Sequence, residues 1–483
     1  MRLSDIIRNI GAIETIGSAD IEITTITNDS RKVVSEGCLF IAVRGCGNDG
    51  HAFIPTAIAA GASAIICEDF EGETTATIVK VKDSRIAVAM AADAYYGHPS
   101  GKLNLVGITG TNGKTTTVTL LYNLFRNLGY ECGLLSTIAN YVGTRRMETA
   151  NTTSDPITIN RLLAEMVDAG CEYCFMEVSS IGVEQERVTG LEYRVGIFSN
   201  LTHDHLDYHG TFAEYLRCKK LFFDRLPADS YAITNIDDRN GLVMVQNTKA
   251  KVITYSCRAV ADHRCKVMEE SFDGMLLKID GVETWARLVG GHNAYNLLAI
   301  YSTAIALGTT QEEALIGISK LESAPGRLEN IKGPKDLSVV IDYAHTPDAL
   351  ENVLKALRDV APSRNLVCLF GCGGDRDRTK RPEMAKIAES LADRIFITSD
   401  NSRTEKTEDI MDEIKAGLSP KGLAKAICIA DRKEAIRTAI MLSPAGSTII
   451  LAGKGHETYQ IIGTTKNHFD EREIVAEVFK TME

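Results

Sequence analysis

Short apolar, β-branched runs alternate along the chain with stretches whose apolar residues recur every three to four positions, the pattern of α/β construction with parallel strands. Runs at 103–109, 171–178, 195–199, 339–342, 366–370, 395–398 and 448–451 read as strands, and 118–127 as a helix. Thr211 followed by Glu214 has the spacing of a capping box, which starts a helix there. On that helix Phe212, Tyr215, Leu216, Phe222, Phe223 and Leu226 share one face, with Lys219 at its centre and Lys220 to one side. No repeat of the solenoid kind is present. Each strand of the last third is followed by a loop rich in Gly, Asp, Arg or His, and such loops gather at the carboxyl edge of an open sheet, where ligands bind.

Length divides this pattern. A single core stops growing at about 250 to 300 residues, and 483 residues exceed that. The glycine-rich stretch 97–101 reads as a linker and Pro325-Gly326 as a second break, giving blocks 1–98, 99–327 and 328–483. A content of 44% hydrophobic and 24% charged residues is that of an ordinary globular protein. The formal charge of −11 argues against general nucleic-acid binding, which needs clustered cations. Acidic residues interrupt the apolar ones at 1–17, so neither a signal peptide nor a membrane span is expected, and the cytoplasm is the expected compartment. Twelve scattered cysteines, of which only Cys171 and Cys174 are spaced as a CxxC pair, read as buried reduced thiols rather than a zinc site.

The strongest chemical signal is Gly110-Thr111-Asn112-Gly113-Lys114-Thr115-Thr116, between a strand and a helix. Backbone N–H groups of such a loop cradle phosphates, the lysine neutralises them, and a threonine hydroxyl can hold Mg²⁺. The spacing is not the general P-loop, because Ile108 stands where that motif has its first glycine. Glu177 ends an apolar run, where an ionised carboxylate needs a cation. His203, His205 and His209 follow the strand at 195–199; no thiolate accompanies them, and neighbouring phosphates favour Mg²⁺ over zinc.

Taken with the preceding Thr109, this loop resembles that of the Mur ligases of bacterial cell-wall synthesis, and the resemblance runs over essentially the whole chain. It implies an α/β, three-domain architecture: a UDP-binding amino-terminal domain, a central P-loop-type parallel sheet that binds ATP, and a Rossmann-like carboxyl-terminal domain. Asp29-Ser30-Arg31 and Asp49-Gly50-His51-Ala52-Phe53 resemble the first of these. The resemblance further implies an ATP contact at Asn293, Asn296, Arg327 and Asp342, and Mg²⁺ ligands at Thr115, Glu177, His205 and Lys219. Lys114, Glu177, His205 and Lys219 would be the catalytic set. Burial favours the neutral lysine amine, which reacts with CO₂ to give a carbamate, and the family's corresponding lysine is carbamylated.

Within the family, the pattern is similar to ligases that add the third peptide residue to UDP-N-acetylmuramoyl-L-Ala-D-Glu. Ser30, Thr152, Thr153, Ser179, Gln185 and Arg187 match that substrate's contacts. Arg376, Asn401, Arg403, Gly453 and Glu457 lie in three loops that would hold the amino acid. meso-Diaminopimelate carries a carboxylate and an ammonium at its far end, which Arg403 and Glu457 match. Two positions depart from the family: Ser402 stands where proline is usual, and Ile181 where histidine follows the paired serines. The implied partners are that nucleotide-peptide and meso-diaminopimelate, the implied cofactors ATP, Mg²⁺ and CO₂, and the expected form a monomer. The alternatives are an L-lysine-adding ligase of the same group, a folylpolyglutamate synthetase, and a nucleotide-binding regulatory protein without catalysis.

Overall fold

A computed structural model of the chain describes residues 1–33, 36–45, 49–149, 151–202 and 206–482. Three large sheets follow one another along the chain. The first has the order Ala12–Ile16, Thr77–Val81, Ala62–Cys67, Cys38–Ile41, Thr25–Thr27; its outermost pair is antiparallel and the rest are parallel. Helix Ser84–Tyr95 covers it, started by Asp83, whose carboxylate accepts the N–H groups of Arg85 and Ile86. The expected linker is packed: the His98 ring meets Asp93 at 2.6 Å, and the buried Ser100 hydroxyl accepts the Glu192 N–H at 3.1 Å.

The second sheet has a parallel core in the order Lys251–Ser256, Tyr231–Asn235, Val195–Phe198, Asn104–Thr109, Tyr173–Glu177, Cys132–Leu135. Its first strand in sequence, Asn104–Thr109, lies in the middle, with the next strands added on opposite sides. The crevice beyond its carboxyl end is therefore the topological switch point, the position where open α/β sheets bind ligands. Helices Lys114–Asn127 and Gly291–Ala306 pack on one face, and Pro156–Asp168 and Phe212–Asp224 on the other.

The parallel construction expected for this sheet forms its core, and antiparallel strands are added at both edges. Antiparallel strands Asn140–Val142 and Arg145–Met147 extend one side, and a meander of His263–Ser271, Gly274–Ile279 and Val282–Ala286 the other. These strands keep partly or fully exposed positions among their buried ones, which antiparallel edges tolerate and buried parallel strands do not.

The third sheet runs Glu329–Lys332, Ser338–Asp342, Thr448–Ala452, Leu366–Phe370, Arg394–Ile397, Ala426–Cys428, all parallel except the first. Helices Pro347–Val360 and Lys380–Leu391 cover one face; Arg432–Leu442 and Glu471–Lys480 cover the other. The loops at 371–379, 398–406 and 453–457 gather at its carboxyl edge. Among the described residues, no helix is long and apolar enough to cross a membrane.

Candidate active site

The loop after Asn104–Thr109 is shaped by its glycines and by the neighbouring strand. Gly110 has φ of 155°, and a Cβ there would lie 1.9 Å from Ser199 Oγ; at Gly113, φ of 86°, it would lie 2.4 Å from Asn296 Oδ1. Asn200 accepts the N–H of Thr111 through its carbonyl and that of Asn112 through Oδ1, both at 2.9 Å. Helix Lys114–Asn127 starts directly at the loop, and Lys114 Nζ donates to the carbonyls of Gly110 and Thr111, each at 2.9 Å. Thr115 and Thr116 are buried behind it.

A cavity of about 340 Å³ opens beside this loop, lined by Asn112, Gly113, Thr116, Asn293, Asn296, Arg327 and Asp342 from the expected set. Tyr295, on the same helical turn as Asn293 and Asn296, lines it too. Asn235, Asp237, Arg258 and Asp348 also line it and were not expected, because they come from a strand end, separate loops and a helix start with no motif around them. Asn293 and Asn296 brace each other at 2.9 Å. Asp342 is pinned by two backbone bonds, Leu328 N–H to Oδ2 at 2.7 Å and Ala344 N–H to Oδ1 at 2.8 Å, and burial pushes its carboxyl up.

Glu177 stands at the end of the strand beside the loop, 1% exposed. Its Oε1 accepts the Thr137 N–H at 2.8 Å, whereas its buried Oε2 has no hydrogen-bond partner among the described residues. A buried, half-satisfied carboxylate and the Thr115 hydroxyl are hard oxygen donors of the kind Mg²⁺ takes. Among the described residues no three His, Cys, Asp or Glu cluster as a metal site, and the expected ligand His205, with His203, lies outside them. Thr211 caps helix Phe212–Asp224 by accepting the Glu214 N–H, but the Glu214 carboxylate turns to Arg217, so only half the expected capping box forms. Lys219 is buried, as expected from its face; Nζ donates to the Gly110 carbonyl at 2.7 Å and sits 4.7 Å from the Tyr215 ring centroid.

A second cavity, about 740 Å³, lies across Asp348 from the first and is lined by all five residues expected to hold the amino acid: Arg376, Asn401, Arg403, Gly453 and Glu457. Arg403 adopts φ of 50°, and its Nη1 donates to the Gly374 carbonyl at 2.7 Å. Ser402 is 3% exposed, and the backbone of Arg403 is tied to the hairpin at 459–468 through Ile461 and Gly463, so the loop is held without the proline. Ile181 lines this same cavity. The Asp348 carboxylate accepts Asn112 Nδ2 at 2.6 Å and the Thr202 hydroxyl at 3.0 Å, joining the start of helix Pro347–Val360 to the phosphate loop.

Of the residues matched to the nucleotide-peptide, Gln185 and Arg187 line a third cavity of about 190 Å³ with Asn28, Arg44 and Arg85. Ser30, Thr152, Thr153 and Ser179 are not among its lining residues. Ser179 caps helix Ser180–Glu184, Thr153 donates to the Glu177 carbonyl at 3.0 Å, Thr152 accepts the Thr137 hydroxyl at 3.1 Å, and Ser30 begins the turn Ser30–Lys32.

Three family models match in succession: the Mur ligase catalytic domain over 22–96, the Mur ligase middle domain over 108–304 and the Mur ligase glutamate ligase domain over 326–455. A protein of Bacteroides fragilis named UDP-N-acetylmuramoyl-L-alanyl-D-glutamate--2,6-diaminopimelate ligase is 50% identical, over 99% of each chain. The chain belongs to the Mur ligase family. Another Mur ligase, a protein of the same name from Cytophaga hutchinsonii, is 49% identical and covers 100% of both chains. A solved structure with that name superimposes with a TM-score of 0.72 at 30% identity, covering 100% of this Mur ligase and 99% of the other chain.

Proposed function

We propose that this Mur ligase joins meso-diaminopimelate to the D-glutamate γ-carboxylate of UDP-N-acetylmuramoyl-L-Ala-D-Glu in the cytoplasm, converting ATP to ADP and phosphate. The observation that carries this reading is the pairing of the two cavities. A phosphate loop lines one, a cavity with Arg403 and Glu457 in its wall adjoins it, and Asp348 is common to both. The full-length likeness to diaminopimelate ligases supports it. Blocks 1–98, 99–327 and 328–483 then handle the nucleotide-peptide, ATP and the amino acid in turn. One chain lines all three cavities, which supports a monomer as the working unit.

In this reading the γ-carboxylate attacks the γ-phosphorus of ATP, giving an acyl phosphate and ADP. Lys114 and the loop N–H groups neutralise the phosphate oxygens. Asn293, Asn296, Arg327 and Asp342 hold the rest of the nucleotide. Magnesium, when bound, would neutralise further phosphate charge. Glu177 Oε2, the Thr115 hydroxyl, His205 and a carbamate made from CO₂ on Lys219 would hold it. Arg403 takes the far carboxylate of diaminopimelate and Glu457 its ammonium, leaving the other amine to displace phosphate from the acyl carbon. Gln185 and Arg187, with Ser30, Thr152, Thr153 and Ser179, belong to the nucleotide-peptide side.

Substrate labelled with ¹⁸O in the γ-carboxylate tests the reaction. Label appearing in the released phosphate, with a product heavier by one diaminopimelate less water, is expected. Unlabelled phosphate would remove the acyl phosphate from the reading.

A further inference from the structure

A positive charge lies directly behind the wall of the amino-acid cavity. Lys454 is 0% exposed, and its Nζ donates to Glu457 Oε2 at 2.8 Å and to Asn401 Oδ1 at 3.3 Å. Asn401 Nδ2 donates to the same Glu457 oxygen at 2.9 Å, while its Oδ1 also accepts the Ile461 N–H at 2.9 Å. The rings of Tyr459 and Phe469 close over the ammonium at 5.7 and 5.8 Å. One enclosed cation thus fixes two side chains that line the cavity.

The loops themselves are held from below by a different group. Arg432, fully enclosed, donates to the carbonyls of Ser399 at 3.1 Å and Ala452 at 2.9 Å and to Glu471 at 2.8 Å, so the strand ends are clamped before Asn401 and Lys454 are reached. What remains for Lys454 is the orientation and charge of the Asn401–Glu457 pair. Among the described residues, three cationic side chains and five carboxylates line the cavity. Lys454 adds a fourth cation and halves the negative excess. That balance matters, because the far end of diaminopimelate is a zwitterion, whereas the far end of lysine is an ammonium alone and is drawn to a negative site.

We infer that Lys454 is a positioning and specificity-determining residue of the amino-acid site: it fixes Glu457 and Asn401 and offsets the carboxylate charge, so that Arg403 can receive a carboxylate. The inference rests on the diaminopimelate reading above.

The test measures initial rates of the full chain with ATP and UDP-N-acetylmuramoyl-L-Ala-D-Glu, varying meso-diaminopimelate or L-lysine, for the wild type, Lys454→Met and Lys454→Gln. The glutamine variant retains a hydrogen-bond donor without the charge and decides the matter if the methionine variant fails to fold. The kcat/KM for diaminopimelate relative to lysine should fall about tenfold or more in both, mostly through the amino-acid KM, as loss of an enclosed charge partner implies. The KM for ATP should stay unchanged. An unchanged ratio in Lys454→Gln, or an ATP KM that rises in step, overturns the role of Lys454 while leaving the diaminopimelate reading intact. A wild type that prefers lysine overturns both.

Discussion

The cavity proposed for the nucleotide and the one proposed for the amino acid share Asp348 but are built by different means. Beside the first, a contiguous loop is held by backbone bonds to Asn200, and its glycines take conformations in which an added Cβ would collide with Ser199 or Asn296. Around the second, three separate loops are held by enclosed charges: Lys454 under Glu457, Arg432 under the strand ends, and Arg381 joined to Glu405 and Glu413. Arg381 holds the Glu405 carboxyl down to about 2, and Glu405 in turn accepts the Asp375 N–H at 2.6 Å. A backbone cradle recognises phosphate whatever is attached to it. A side-chain cradle can be retuned one charge at a time.

The largest effect expected to separate the two is at Lys114. Lys114→Met should lower phosphate release by on the order of 10²–10³-fold, as loss of a charge-stabilising group does. Diaminopimelate binding, followed by calorimetry, should stay unchanged, and a loss of that binding would show that the cavities are not separable. Next is Arg403→Ala, which should cut kcat/KM for diaminopimelate by about 10- to 100-fold, the value of a lost charged hydrogen bond. The KM for ATP should not move; a parallel rise would break the comparison from the other side.

Asp348→Ala removes the acceptor of both Asn112 and Thr202, and about 1–3 kcal/mol should be lost. Because the carboxylate stands in both walls, the KM values for ATP and for the amino acid should rise together, and steady-state kinetics showing a rise in only one would place Asp348 on that side alone.

The smallest effect, taken per pH unit, is on stability. Burial, with the Arg327 and Arg472 charges added, lowers His456 to about 3; burial alone lowers His292, at the nucleotide cavity, to about 4. The unfolded chain binds these protons near pH 6.5 and the folded chain does not, so stability must fall as pH drops below that value. Each histidine should contribute about 1.4 kcal/mol per pH unit until its folded pKa is reached. His456→Asn should flatten the slope of urea-unfolding free energy against pH down to about 3, and an unchanged slope would show that His456 takes up its proton in the folded chain.

The same contrast explains what could be read before the fold was known. Gly110 to Thr116 carry their chemistry in consecutive residues, so both the loop and its place between strand and helix were legible, as was the buried face of the helix bearing Lys219. Arg376, Asn401, Arg403, Gly453 and Glu457 were reachable through resemblance, and the sheet brings them to one cavity. Asp348 and Arg258 were not found, since their importance depends on which loops the sheet order places side by side; Lys454 lies in the loop 453–457 that the resemblance pointed to, but its hold on Glu457 and Asn401 shows only in the packing. Ile181 shows the same limit, because only the packing puts it in the amino-acid wall. The antiparallel edges were missed because strand runs alone do not give direction.

In the proposed reaction, sustained turnover of ATP requires the correct amino acid in the second cavity. Phosphate release from ATP, with Mg²⁺ and UDP-N-acetylmuramoyl-L-Ala-D-Glu, should be compared with meso-diaminopimelate, L-lysine and no amino acid. Sustained release that depends on diaminopimelate is the predicted result. Release that depends on lysine would contradict the assignment of Arg403 and Glu457, and no release with either would contradict the ligase reading itself.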